Sequence, residues 1–430
     1  MNVTKNVEVM DTTLNKLLVI CTLLLLLSLN LPSIVAVPAL RIVYTNFGWF
    51  SITDIMLIIV SILLLFYYLF FSKPSGTFDR GMVILFFILT SILNLNGGRD
   101  RDLFFYFIRM FPMLFLGRLF VKNNQLKVVL SMIKGMSFLQ ILIILYSVFI
   151  TPLGIERVGT SSLFWVQSNG INDLGRVMGT IGHPLVLAVF LLPGIITWFY
   201  DIVYKKKMTS LVGFALATYC IFLTFTRGTW LVLAITISFM ILDSGIFKQL
   251  YLFLKGLHPS RKKIVIFSSI PIMIIAIFLT TPIIQAIVTR LSMTTMEDGS
   301  VFHRLEMFSW TVRHVTNNLD ILFLGNGMGN TGSFLRNNPP STYFFVIDNQ
   351  YLTFLFEYGI FGFISIMSIF FLSIYRSYIV KERRIIFFIL MALIMNAFTF
   401  ELVNWYKVAI PLWLFIGLAI APATMKETEP

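Results

Sequence analysis

Three clusters in the middle and later parts of the chain hold the side chains most suited to chemistry. The first is Gly175-Arg176-Val177-Met178-Gly179-Thr180-Ile181-Gly182-His183-Pro184. Its glycines and proline predict a tight entry into a helix, with Arg176 and His183 beside it. Arg176 is either a substrate contact or an interfacial anchor; His183 is a substrate-binding candidate or a satisfied cap or surface residue. The second is Thr224-Phe225-Thr226-Arg227-Gly228-Thr229-Trp230, where one arginine stands between two apolar runs with almost no loop around it. Gly228 permits close backbone approach there, which makes Arg227 a candidate anion site. The plain alternative is an arginine reaching for water beside an interfacial tryptophan.

The third cluster runs from Arg304 through Trp310 to Gly325-Asn326-Gly327-Met328-Gly329-Asn330, then to Asp348-Asn349-Gln350-Tyr351-Leu352 and Glu357-Tyr358-Gly359. The glycines at 325, 327 and 329 are spaced either as a simple turn or as a nest of backbone amides for phosphate oxygens. Asp348 suits an N-cap and equally suits a general base. Zinc-type His/Cys spacing, a Walker phosphate loop and a nucleophile-elbow serine are missing from the sequence. The expected mechanism is therefore one in which arginines, not a metal, neutralise a phosphate leaving group. Guanidinium is the side chain for planar, bidentate contact with phosphate or carboxylate.

The elements that must position these residues are membrane helices. Of 430 residues 57% are hydrophobic and 12% charged, and the apolar residues come in unbroken blocks. Runs near twenty residues satisfy their backbone polar groups internally, as a bilayer core of roughly 30 Å demands. Candidate spans fall near 17–37, 50–71, 82–96, 104–121, 128–150, 185–204, 211–225, 230–247, 264–288, 349–375, 385–401 and 408–422. The expected architecture is all-α and polytopic, a single membrane domain over 1–430 with about twelve spans. Cys21 and Cys220 both sit inside apolar runs and read as ordinary buried residues.

With both termini on the cytoplasmic side, the inner segments hold nineteen basic residues, fourteen of them lysine, and the outer segments eleven, ten of them arginine. The positive-inside rule supports this orientation. The outer loop 289–348, between the ninth and tenth spans, is the main elaboration. In it Val301, Leu305, Phe308, Val312 and Val315 are spaced as one helix face, which predicts an amphipathic cap packed on the membrane domain and forming part of the active site.

Taken in order, Arg176 with Gly179 and Pro184, the Thr226-Arg227-Gly228 turn, Arg304 with Trp310, the Gly325/Gly327 loop and Asp348 to Gly359 resemble the O-antigen polymerase and ligase superfamily. The resemblance spans roughly 150–365. It implies a GT-C-like, metal-independent and cofactor-free glycosyltransferase of the bacterial cytoplasmic membrane. Its donor and acceptor would be undecaprenyl-diphosphate-linked glycans. Membrane lipids, a chain-length regulator and a flippase would be its neighbours, and no nucleic acid is expected. By the resemblance, Arg227 and Arg304 match two arginines that carry activity in the ligases. The ligase histidine position is occupied here by Asp348, which looks more like the polymerase branch.

On that reading Arg227, Arg304 and Asp348 are catalytic, with Arg176 and Arg290 as secondary phosphate contacts. The substrate-binding set is completed by His183, Trp310, Gly325, Gly327, Asn349, Tyr351 and Glu357. Transfer of a finished glycan to a lipid or protein acceptor, and transport of lipid-linked sugars, are the competing functions.

Overall fold

The computed structural model describes residues 2–30, 52–70, 100–149, 166–167, 176–245, 299–340 and 346–422. The expected spans 82–96 and 264–288, together with Arg290, lie outside them. The other ten expected spans coincide with helices. In chain order these are α1 (Asn2–Ser28), α2 (Ile52–Phe70), α3 (Asp100–Lys122), α4 (Leu126–Phe149), α5 (Pro184–Val203), α6 (Ser210–Leu223) and α7 (Arg227–Asp243). A cap follows, made of α8 (Gly299–Thr316), α9 (Leu319–Leu324) and α10 (Thr331–Asn337), and then α11 (Gln350–Ile379), α12 (Arg384–Asn396) and α13 (Tyr406–Ile420). Helix α1 begins well before the apolar run expected from residue 17, because no glycine or proline interrupts the chain before Pro32. A two-residue strand pair, β1 (Val166–Gln167) and β2 (Arg176–Val177), departs from the purely helical expectation.

By length and composition three helices can cross a membrane, at Leu126–Tyr146, Pro184–Val203 and Gln350–Ile379. Shorter apolar helices accompany them at Thr12–Ser28, Ile52–Tyr67, Ser210–Leu223 and Tyr406–Ile420. Helix α5 is buried almost throughout, between α4, α6, α7 and α12. Helix α13 is buried from Lys407 to Ile420 and packs along α3. The backbones touch there: a Cβ on Gly417 would lie 2.3 Å from Leu114 O, and one on Gly117 2.5 Å from Leu414 O. Small residues at such a crossing let two helices gain dispersion contact where no hydrophobic driving force acts between them.

Contacts between helix ends gather them into two chemically different poles. At the lysine-rich pole, the Lys134 ammonium meets Asp201 at 2.8 Å and Lys205 meets it at 2.7 Å. The Tyr204 hydroxyl donates to Asp243 Oδ2 at 2.6 Å, and Arg384 lies 3.5 Å from Asp243 Oδ1. Buried Arg383 donates to the carbonyls of Ala419, Ala421 and Pro422, closing the C-terminal end of α13. The opposite pole carries Arg176, His183, the turns before α7 and α13, and the cap.

Helix α11 is not straight. Gly359 has φ 61° and ψ −170°, outside the helical region. The rings of Phe354 and Phe370 lie 6.3 Å apart, whereas sixteen residues of straight helix would separate their backbones by about 24 Å. The break folds a short arm, 350–358, back against a long arm, 360–379. Twenty residues rise about 30 Å, so the long arm alone matches a hydrocarbon core.

The cap has a small core of its own, built from Met307, Val315, Leu335, Ile347, Leu352 and Phe356. Helix α8 turns His303, Met307, Thr311 and Val315 inward, four residues apart. The expected apolar face is thus corrected: Val315 is buried, but Leu305 and Phe308 are each 53% exposed. Hydrophobicity misassigned the face because its inward stripe includes the polar His303 and Thr311.

Candidate active site

The entry to α5 is shaped by Gly179 (φ 54°) and Gly182 (φ 88°), with Pro184 in the first helical turn. The positive φ at Gly179 favours glycine, and a Cβ there would lie 2.0 Å from the Gln140 side-chain amide nitrogen, which would have to shift. His183 is the N-cap residue but makes no side-chain cap hydrogen bond. Its ring packs on Trp405 at 5.3 Å, and its buried Nδ1 has no hydrogen-bond partner among the described residues. The satisfied-cap alternative is therefore not what the structure shows.

Arg176, on β2, sends its Nε to the Thr224 carbonyl at 3.0 Å. That bond joins the first sequence cluster to the second. The turn from α6 into α7 is held by the Thr224 hydroxyl, 2.7 Å from Ile221 O and 2.8 Å from the Thr226 hydroxyl. Phe225 adopts φ 50°, a costly conformation for a bulky residue. Trp230 is buried and its indole N–H donates to Ile221 O at 3.2 Å. It latches the turn, in place of the interfacial role considered for it.

A Cβ on Gly228 would come 2.9 Å from Thr399 Oγ1, and the Thr229 hydroxyl lies 2.9 Å from Asn396 Oδ1. Arg227 thus stands in the first turn of α7, a seventeen-residue helix clamped against the turn after α12. The positive end of the helix dipole adds to its guanidinium there.

The cap supplies the rest. His303 Nε2 lies 3.9 Å from Asp348 Oδ2, and the imidazole also bonds to the Val346 carbonyl. Burial pulls the His303 imidazole below its ordinary value near 6.5, with neighbouring Arg304 acting in the same sense and Asp348 against it. His183 is shifted down likewise, first by burial and then by Arg176, again opposed by Asp348. Both rings are therefore neutral at pH 7 and able to accept a proton. Asp348 thus links the two histidines electrostatically, with Arg176 acting on His183 and Arg304 on His303, and Arg176 is tied to the turn that carries Arg227.

Asp348 is not the cap of α11. Asn349 is: its Oδ1 accepts from Tyr351 N at 3.0 Å and Leu352 N at 3.2 Å, while its Nδ2 donates to Phe398 O at 3.1 Å. Asp348 is left with φ 53° and a side chain 32% exposed, facing the histidines.

Several expected contacts belong to scaffolding. The amides of Asn326 and Gly327 bond to the carbonyls of Phe356 and Glu357, at 2.8 and 3.0 Å, and the Gly325 amide to Ile321 O at 2.8 Å. These amides are committed to the chain and do not form the phosphate nest. Buried Glu357 accepts from the Thr331 hydroxyl at 2.6 Å and from the Gly329 amide. The Tyr351 hydroxyl donates to Ile394 O at 2.7 Å, and Trp310 stacks on His314 at 5.2 Å and Phe356 at 5.8 Å.

His303 escaped the sequence reading although it adjoins Arg304. Glu401 escaped it too, and Gln350, though part of the third cluster, was given no role of its own. Glu401 accepts from the Ile347 amide at 3.2 Å, the Thr353 hydroxyl at 3.0 Å and Asn404 at 2.6 Å. Gln350 accepts from the Val403 amide at 2.7 Å. These bonds fix the segment that holds Asp348.

Residues 212–367 match the O-antigen ligase family model. The match supports the O-antigen ligase and polymerase superfamily, whose members are glycosyltransferase-like and process cell-surface glycans. No curated protein matches the sequence. The O-antigen ligase match takes in Arg227, Arg304, Asp348, Gly325 and Gly359, but begins after Arg176 and His183.

Proposed function

We propose that this protein is a membrane glycosyltransferase that joins undecaprenyl-diphosphate-linked repeat units into a bacterial cell-surface polysaccharide, on the extracytoplasmic face of the cytoplasmic membrane. One observation carries the reading. Cationic, imidazole and carboxylate groups from three separate chain segments converge at the pole opposite the lysines. In this mechanism the acceptor sugar hydroxyl attacks the anomeric carbon of the donor. The new glycosidic C–O bond forms as the carbon–oxygen bond to the diphosphate breaks. Undecaprenyl diphosphate departs, and the hydroxyl proton passes to the His303–Asp348 pair.

Arg227 and Arg304 stabilise the charge that develops on the departing diphosphate, a role in which losing one donor costs roughly 3–4 kcal/mol. His303 and Asp348 are 3.9 Å apart, too far for a direct hydrogen bond but near enough for one hydroxyl between them to reach both.

Ligation to a lipid or protein acceptor is the second reading. It is favoured by the O-antigen ligase match and by His303, which supplies an imidazole beside the aspartate that replaces the ligase histidine. Transport has less support: it calls for ionisable residues deep within several helices, for which Arg109, Arg118 and Lys134 are the loose candidates, and Lys134 is paired with Asp201 at the lysine-rich pole.

The deciding test supplies purified protein in nanodiscs with undecaprenyl-diphosphate-linked repeat units and a chelator, first alone and then with a lipid acceptor. Chelator-resistant ladders that vanish in Arg227→Ala support the polymerase. Their absence from intact wild type, with transfer to a supplied lipid acceptor, moves the assignment to ligation.

A further inference from the structure

The outward side of α8 carries Phe302, Leu305 and Phe308, exposed by 55%, 53% and 53% and spaced three residues apart, with no charge among them. On α9, Leu319 is 68% and Phe323 41% exposed. This surface continues onto the long arm of α11. Phe323 stacks on Phe361 at 5.3 Å, and Phe361 opens an arm whose outward residues Ile364, Phe371 and Tyr375 are likewise exposed. That arm has the length and composition of a membrane span, so its outward side faces hydrocarbon. Phe361 lies in its first turn, at the level where a bilayer would end.

We infer that α8 and α9 lie on the bilayer as interfacial elements, with Phe302, Leu305, Phe308, Leu319 and Phe323 at the headgroup–acyl boundary of the leaflet at the arginine pole. An amphipathic helix lying in that boundary buries its apolar side and keeps its polar residues at headgroup level. Along the same line α8 becomes polar at Ser309, Arg313 and Thr316, all exposed, so its N-terminal half sits deeper than its C-terminal half.

That tilt has a chemical consequence. Phe302 enters lipid while the next two residues, His303 and Arg304, reach the candidate site. If the function proposed above holds, a lipid diphosphate keeps its tail in the leaflet while its phosphates meet Arg304. The interfacial position itself does not depend on that reading.

The test uses the full chain with Cys21→Ala and Cys220→Ala, carrying a nitroxide at Leu305→Cys, Phe308→Cys or Thr316→Cys, in phosphatidylcholine–phosphatidylglycerol nanodiscs. Power saturation compares collision with oxygen, which partitions into lipid, and with a water-soluble nickel chelate. A severalfold higher oxygen-to-nickel ratio at 305 and 308 than at 316 is expected. Equal ratios at the three sites would overturn the inference, as would protection from both reagents at 305 and 308, which would show a protein cover. Hydrogen exchange on the unsubstituted chain gives a second reading: amides of 302–308 slower in nanodiscs than in short-chain detergent support the inference, and equal rates oppose it. Neither measurement reads glycosyl transfer, so failure here is distinct from failure of the proposed activity.

Discussion

His303 Nε2 lies 3.9 Å from Asp348 Oδ2, across the gap between the inward face of α8 and the segment that leads into α11. Neither residue reaches the other by chain geometry alone. Asn349 takes over the capping of α11, which leaves the Asp348 carboxylate at liberty to face the imidazoles. Glu401, by holding the Ile347 amide, fixes where that carboxylate stands.

This pairing predicts a pH profile. The imidazole of His303 is held below 6.5, chiefly by burial, so its neutral, proton-accepting form predominates above that value. Turnover should be level above about pH 6.5 and fall as pH drops through the lowered imidazole value. The other charged groups facing it are Arg304, Asp348 and Glu306. His303→Gln should lower kcat more than KM and abolish this acid limb. A His303→Gln enzyme with the limb intact would assign the titration to His183.

Arg227→Ala and Arg304→Ala should each lower kcat by roughly 10²–10³-fold, the scale for losing one donor to a developing oxyanion. Lysine at either position keeps charge but loses the bidentate fork and should restore only part of the rate. Single-turnover rates at saturating lipid-linked donor measure this directly. A change confined to KM would place the arginines in ground-state binding.

Gly325 and Gly359 form a seam between the cap and the break in α11. A Cβ on Gly325 would lie 2.5 Å from Gly359 N, and one on Gly359 would lie 2.6 Å from Gly325 N. Both have positive φ, 78° and 61°. Gly359→Ala should therefore destabilise by the roughly 1–3 kcal/mol of backbone strain and by the steric displacement in addition. A clear drop in Tm in detergent, against no change for Gly332→Ala, whose nearest neighbour is a flexible arginine tip 3.8 Å away, checks this.

Much of the scaffold was legible because membrane helices announce themselves as apolar runs, and Arg227 because it stands between two of them, whereas Arg176 and Arg304 stood out only through the clusters they belong to. The remainder depended on long-range partners. Gly359 stands in the third cluster and inside the expected span 349–375, but only the opposed Gly325 backbone shows why the chain must break there. The Gly325–Gly329 spacing suggested a phosphate nest because amides whose partners lie thirty residues away look free in sequence. His303 was missed because it lies on a helix face judged by hydrophobicity, where a buried imidazole looks like an interruption.

Glu401 offers a test of how the aspartate is held, because its ionisation and its hydrogen bonds act in opposite senses. Burial raises its carboxyl above the ordinary glutamate value, aided by the charge of Asp348, although Asn404, Thr353 and the Ile347 amide all favour the ionised form. A group whose folded-state pKa is raised contributes stability that is fully present below its unfolded value, near 4.5, and is lost as pH rises through the folded value. Glu401→Gln cannot ionise but keeps an oxygen that accepts from Ile347 and Thr353. Wild-type Tm should therefore fall between acid and neutral pH by more than that of Glu401→Gln, while the variant retains activity. Glu401→Leu removes the acceptor too, leaves the Ile347 amide buried without its bond, and should cost activity at every pH as Asp348 drifts from His303. Parallel Tm curves for wild type and Glu401→Gln would overturn this, showing that the folded and unfolded carboxyl titrate alike because its three donors offset its burial.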